Sequence, residues 1–450
     1  MQQHRSSNQQ TRNLKSWHTI MIVCLLSLGS VSISYAQMTA PTDSTQIDPS
    51  ATVYPNTSAG EFTPGKGFKL VKNQFASLNF SAYMMARYIT QTPPTDTWYD
   101  HLGNPHAFKG RNDIYWHRVM LWFTGHLGTP KLQYMATVWT VFTTQQTLVY
   151  GNINYTFNKH FRAAIGIGPN LCIRSLQGPF PYFTSTDRTM VEDALRGGFT
   201  NGFTVSGEIV PKLNYSLFLG NNLSQLGIKA GQLTRNMSKS VGLVWMPTTG
   251  EFGPRGGNGD FEEHTKLSTR FGANYCHSRE NRFNNIDTPS PDNTQVRMSD
   301  GMLFFETGAL APGVTAEEAD YDMFAVDLGF KYRGLAVHTE FYNRTLSDID
   351  ADGELPLTRI HDVGYKVEVL YMAVPKILCV YGITSQIRDE FKRNPWEAGL
   401  GVNIYPYKTR SWRINMQAIH VYKGAAGGVF GLYTAGQTGM NFTFGTDIIL

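Results

Sequence analysis

Sixteen segments of this chain alternate apolar and polar residues with a period of two, and the links between them alternate between short and long. That period is what a strand with one apolar face requires. In the first segment Leu78, Phe80, Ala82, Met84, Ala86 and Tyr88 share one face, with Asn79, Ser81, Tyr83, Met85 and Arg87 on the other. The sixteen run over 78–89, 114–127, 132–142, 147–157, 161–168, 198–208, 213–220, 239–246, 265–277, 322–333, 335–344, 361–373, 376–386, 395–406, 411–422 and 438–450. Their typical length is near the roughly ten residues a tilted membrane strand needs. In the last, Met440, Phe442, Phe444, Ile448 and Leu450 take the apolar face.

The links constrain the fold further. Gly128-Thr129-Pro130, Asn158-Lys159-His160, Val210-Pro211-Lys212, Arg333-Gly334, Val374-Pro375 and Pro406-Tyr407-Lys408 are short, and most of the links between them are longer and polar. This parity predicts an all-β fold, a transmembrane antiparallel β-barrel of about 16 strands with short periplasmic turns and long external loops. A soluble sandwich or propeller would alternate as well, but it has no need of the parity. Closing the sheet also leaves no edge whose backbone N–H groups would face lipid. Two links break the pattern. Residues 143–146 are short where a long link is expected, and the Gly-rich, charged 247–264 is long where a short one is expected.

On this reading Val119/Leu121/Phe123, Leu328/Phe330 and Leu400/Val402/Ile404 face lipid. Tyr150, Tyr155, Tyr332, Tyr371, Trp396, Tyr405 and Trp412, near strand ends, are expected to form interfacial girdles. The opposite face carries Arg87, Arg118, Arg162, Arg270, Lys331, Lys366 and Arg413, with Glu208, Asp327, Glu340, Glu368, Glu397 and Asp447. Such charges are prohibitive in a dry core and cheap along a water-filled lumen, for which a barrel of about sixteen strands has room. For any one of them a wall salt bridge is the plainer role. The link 169–197 stands apart: it combines the apolar Leu176-Gln-Gly-Pro-Phe-Pro-Tyr-Phe183 with Arg174, Arg188, Arg196, Asp187, Glu192 and Asp193. An apolar loop has to bury somewhere, and folding into the lumen would narrow it; packing over the barrel mouth is the alternative.

Residues 1–36 read as a secretory signal peptide: Arg5, Arg12 and Lys15, then the apolar Ile20–Leu28, then Ser34-Tyr35-Ala36 as cleavage site. Residues 37–70 read as a flexible periplasmic lead-in and 71–450 as the outer-membrane barrel. Removing the signal takes the formal charge from +4 to about +1, with 36 Lys+Arg against 35 Asp+Glu. No stretch beyond residue 36 approaches the roughly 20 apolar residues of a membrane helix. The small, unclustered basic excess argues against nucleic acid as a partner. Cys172, Cys276 and Cys379 are far apart and odd in number, so no disulfide framework is indicated.

Several short motifs occur in a meaningful order. Gly67-Phe68-Lys69-Leu70, Leu78-Asn79-Phe80 and Arg87-Tyr88 precede Trp116-His117-Arg118-Val119 and Gly125-His126-Leu127. Gly151-Asn-Ile-Asn-Tyr155, Arg162-Ala-Ala-Ile-Gly166, Arg196, Gly198, Gly207, Tyr215–Asn221 and Gly401-Val402-Asn403 follow. Together they resemble the phosphate-selective porin O and P family of Gram-negative outer membranes, over about residues 66–450. The resemblance implies a sixteen-stranded, usually trimeric channel. Two features depart from it: the inward charges are mixed in sign, and the terminal residue is Leu450 where the family usually has an aromatic.

The expected function is passive diffusion of small polar or anionic solutes, phosphate among them, through a lumen narrowed by 169–197. The solute gradient drives the flux, so no cofactor is needed. Arg87, Arg118, Arg162, Arg174, Arg188 and Arg196 are the expected anion contacts, because a guanidinium holds an oxyanion bidentately and a series passes it along. A barrel with a closed pore acting as adhesin or scaffold, or a barrel enzyme, are the competing classes; no catalytic motif is found. Asp348-x-Asp350-x-Asp352-Gly353, in the predicted loop 345–360, begins like a calcium loop, but Arg359 stands where its closing Glu belongs.

Overall fold

A computed structural model describes residues 67–107, 110–141, 146–223, 236–282, 296–425 and 432–450, all within one compact unit. The expected signal peptide and the lead-in up to residue 66 lie outside the described residues.

The strands are β1 (Phe68–Lys72), β2 (Ser77–Thr92), β3 (Thr97–Tyr99), β4 (Pro105–Ala107), β5 (Arg111–Leu127), β6 (Thr129–Val141), β7 (Gln146–Asn158), β8 (Phe161–Pro169), β9 (Phe199–Val210) and β10 (Leu213–Gly220). They continue with β11 (Ser238–Trp245), β12 (Ser268–Asn281), β13 (Ala316–Tyr332), β14 (Leu335–Ala351), β15 (Arg359–Val374), β16 (Leu378–Arg388), β17 (Trp396–Ile404), β18 (Trp412–Tyr422) and β19 (Gly439–Ile449). Sixteen of them, β2 and β5 to β19, pair antiparallel with their neighbours, and β19 returns to pair with β2, from Met440↔Thr92 to Ile449↔Tyr83. The sheet is a closed, all-β transmembrane barrel. Each of the sixteen alternating segments is one of these strands. The largest departures in length are β13, which begins six residues early at Ala316, and β14, which runs to Ala351 instead of residue 344. β1 covers the start of β2, pairing Phe68 with Phe80 and Lys72 with Ser77. β3 and β4 form a separate hairpin in the link from β2 to β5.

The pleat divides the residues as their alternation implies. Leu400, Leu328, Phe442 and Phe444 point outward and are exposed, whereas Arg87, Arg118, Lys366, Glu368, Glu397 and Asp447 point inward and are buried. Tyr332 and Tyr371 stand exposed at strand ends as girdle residues should. Two assigned girdle residues do not. Tyr150 shares the inward face with Asn152 and Asn154 and meets the Trp139 ring at 6.3 Å. Tyr405, one residue past β17, is covered by Phe261 at 4.9 Å. Position near a strand end says nothing about which face a ring takes; parity and covering loops decide it.

A charge placed at mid-depth on the lipid face should cost about 2–4 kcal/mol, while one facing the lumen should cost much less. Leu400→Arg on β17 is therefore expected to lower folding stability in bilayers by that amount, and Ser216→Lys on β10, half-buried on the inward face, to leave it nearly unchanged. Urea titration of folding into vesicles, followed by gel mobility, measures both.

Candidate functional site: the filled lumen

The link from β8 to β9, residues 170–198, enters from the long-loop end and is buried along nearly its whole length. Its apolar part lands on the inner face of β2, β5 and β6. There Tyr83, Met85, Met120, Trp122, Met135 and Trp139 form one buried cluster with Leu176, Phe180 and Phe183. The Phe180 ring lies edge-on to Tyr83 at 4.7 Å. The link then crosses to the far wall. Arg413 donates to the carbonyls of Phe183 at 2.8 Å and Ser185 at 3.1 Å, and Asn403 donates to that of Thr184 at 2.9 Å. A short helix, α1 (Met190–Leu195), follows. The Met190 N–H donates to Glu397 at 2.7 Å, and Lys366 pairs with Glu192 at 2.7 Å. Gly364 in β15 makes room for α1: a Cβ there would lie 2.4 Å from Val191. The loop therefore folds into the lumen and does not pack over the mouth.

The second long insertion comes from the opposite end. Residues 246–267, between β11 and β12, turn up into the barrel. Lys331 donates to the carbonyls of Phe252 and Gly257 at 2.8 and 2.7 Å. Asn258 donates to Glu368 at 2.7 Å, and the Gly259 N–H donates to His338 at 3.2 Å. Gly329 gives Phe252 its space, since a Cβ there would be 2.4 Å from the ring. The two insertions meet: the Asn258 N–H donates to the Tyr182 carbonyl at 2.8 Å, Arg255 to that of Phe180 at 2.9 Å, and Arg174 to the Asn258 side chain at 2.9 Å. The opposed loops are thus joined inside the lumen by both backbone and side-chain groups.

Five of the six arginines expected to contact anions lie beside carboxylates. Asp187 sits among Arg118 at 3.2 Å, Arg87 at 3.9 Å and Arg188 at 4.0 Å, with His117 at 3.9 Å. Arg174 lies 3.9 Å from both Asp327 and Glu340, and Arg196 is 3.5 Å from Asp193. Lys366 is surrounded by Glu192, Glu340 and Glu368. Arg162 lines a cavity of about 250 Å³ between the first insertion and β8 to β11, with Lys159, Gln177, Thr204, Ser206, Asn214 and Ser216. Asp348 and Asp350 lie on β14 and share the Arg279 guanidinium with Glu318 and Asp320; Asp352 accepts from the Thr315 N–H at 2.7 Å. A guanidinium thus stands among the acids considered for calcium. Among the described residues no His, Cys, Asp and Glu group of metal-holding geometry occurs.

Sequence reasoning missed the apolar inner patch and the lumenal role of 247–264. Both had a signal. Val119-Met-Leu-Trp-Phe123 is apolar on both faces, and 247–264 was the long link in a short position.

No family model and no curated protein matches this chain. Solved structures do. The outer-membrane expressed OmpT of Vibrio cholerae aligns with a TM-score of 0.51 at 11% identity, covering 84% of this chain and 99% of that one. The anion-selective porin from Comamonas acidovorans aligns with a TM-score of 0.50 at 11% identity, covering 83% and 100%. At such identities the likeness is one of fold.

Burial alone would raise the Asp187 carboxyl; Arg118, Arg188 and Arg87 outweigh it and hold the group below its ordinary value. A carboxyl depressed in the folded state contributes its full stability above the ordinary aspartate range and loses it as pH falls through the lowered value. Near-UV circular dichroism, which reports the packed rings around Phe180, should therefore weaken as pH drops below about 4, with the far-UV β signal retained. Asp187→Asn should show the weakened signal already at neutral pH.

Proposed function

We propose that this protein is an outer-membrane porin of a Gram-negative bacterium, giving passive passage to small polar or anionic solutes. The observation that carries the reading is a closed sixteen-strand barrel with a charged inner wall, in which a polar cavity remains beside the inserted loop. A lumen lined by ions is costly when dry and cheap when wetted. The solute path runs along β8 to β11, where Arg162, Lys159, Thr204, Ser206, Asn214 and Ser216 offer donors and exchangeable contacts. Of the two neighbours with the same fold, one is named as outer-membrane expressed and the other as an anion-selective porin. Phosphate is the narrower candidate, suggested by the sequence resemblance. Arg162 is the residue assigned to anion contact; Arg87, Arg118, Arg174, Arg188 and Arg196 chiefly hold the loop in place. A homotrimer in the outer membrane is the assembly this reading implies.

The filled lumen also favours a second reading, a closed barrel serving as scaffold. Planar-bilayer recording separates the two: discrete conductance steps are expected, and their absence from both the native protein and a variant lacking 248–263 would sink the channel. Replacing 248–263 by a short Gly-Ser turn should raise unit conductance several-fold. In a salt gradient Arg162→Glu should shift the reversal potential toward cations, while Arg196→Gln should shift it much less. Phosphate in the micromolar to millimolar range should block chloride current if the narrower candidate holds.

A further inference from the structure

At the long-loop mouth, away from the lumenal insertions, a cavity of about 550 Å³ opens between the β3–β4 hairpin, the link 389–395 and the two ends of the link 423–438. We propose that this cavity binds a small solute bearing an anionic group on a flat ring, of which an aromatic carboxylate is the simplest member. Binding here is independent of conduction and stands or falls separately from the porin reading.

Two kinds of side chain share the lining: Trp98, Tyr99 and Phe391 are aromatic, and Lys392, Arg393 and Lys423 are cationic. The Trp98 indole is fixed in place. His106 stacks on it at 4.5 Å with planes 20° apart, and Gly436 lies so close that a Cβ there would be 2.2 Å from the ring. Arg393 is only 8% exposed, and its guanidinium carbon is 5.8 Å from the Trp98 ring centroid. One Nη of Arg393 donates to the Tyr99 carbonyl. Its Nε is buried with no hydrogen-bond partner among the described residues. A buried donor left unmatched is a costly arrangement.

Two acids close by, Asp100 and Asp300, are already committed. Asp100 accepts from the N–H groups of Leu102 at 2.9 Å and Asn104 at 2.8 Å, from the Asn104 side chain at 3.0 Å, and contacts His106 at 2.9 Å. Burial would raise this carboxyl, but those bonds hold it at about 2. Asp300 is engaged with the His101 N–H at 2.8 Å and its ring Nδ1 at 2.7 Å. Three cations therefore line the cavity against the one saturated carboxylate of Asp100. Its volume is in the range of small-molecule sites. A bare oxyanion would meet the cations and leave the aromatic faces uncovered. A neutral ring would stack and leave the cations unsatisfied. A ring that carries a carboxylate answers both, by stacking and by charge-assisted hydrogen bonding.

The test uses the full barrel folded in detergent, with benzoate as probe in calorimetry and saturation-transfer NMR. Saturable benzoate binding is expected, with benzamide and inorganic phosphate each at least about tenfold weaker. Trp98→Leu and the double variant Lys392→Gln/Lys423→Gln should each weaken benzoate about tenfold, with heat-modifiable gel mobility confirming that the barrel is folded. The proposal is overturned by any of three results: no saturable benzoate binding, benzamide or phosphate binding as tightly as benzoate, or folded variants that bind it unchanged.

Discussion

Closing sixteen strands into one sheet satisfies every strand edge but leaves a lumen too wide for the wall's own side chains to fill. The rest of the molecule follows from that constraint. A wall of fewer strands could pack on itself. This one must either admit water or receive chain from its links, and among the described residues two long insertions enter it. One descends between β8 and β9 and the other rises between β11 and β12, and they are hydrogen bonded to each other near the centre. Each needs a place where the wall withdraws, and Gly364 and Gly329 provide it.

The charges inside the barrel take their meaning from these insertions. A buried ion without a partner is strongly destabilising, whereas a paired one costs little and fixes geometry. Arg87 and Arg118 belong to the wall, and the loop brings Asp187 to them; Lys366 belongs to the wall, and the loop brings Glu192. Arg413 satisfies Asp447 on its own sheet and two loop carbonyls besides. The inward arginines of the first strands are thus anchors for a loop before they are contacts for a solute. A ladder of uncompensated guanidinium groups would be a different protein, with a different charge.

The barrel was legible in the sequence because period two and link parity are both local. Neither needs knowledge of what lies across the sheet, so all sixteen strands could be placed and the facing of residues such as Phe80, Arg87, Leu400 and Glu397 assigned. The site was legible only in part, because pairing across a lumen is not local. Nothing in the sequence around Asp187 says that Arg87, 100 positions away, is its neighbour. Tyr405 looked interfacial for the same reason: the residue covering it, Phe261, comes from a link 144 positions earlier. What did carry information was inconsistency. A strand apolar on both faces, Val119 to Phe123, marked where something packs inside, and a link too long for its end of the barrel marked the chain that rises into it.

The same geometry explains why the open space lies where it does. The first insertion springs from β8 and is fastened to β13 and to β15 through β18, on the other side of the barrel. The apolar patch on β2, β5 and β6 and the rising loop on β13 to β15 claim two more sectors. The open space lies along β8 to β11, beside the root of the insertion, where the chain leaves the wall and has not yet crossed. Its lining is short and polar, with Thr204, Ser206, Asn214 and Ser216, and its charged members are Arg162 and Lys159. Lys159 is paired with Glu208 at 3.1 Å at the short-turn rim. Most of the charge on the described inner wall is thus engaged in holding the inserted chain in place.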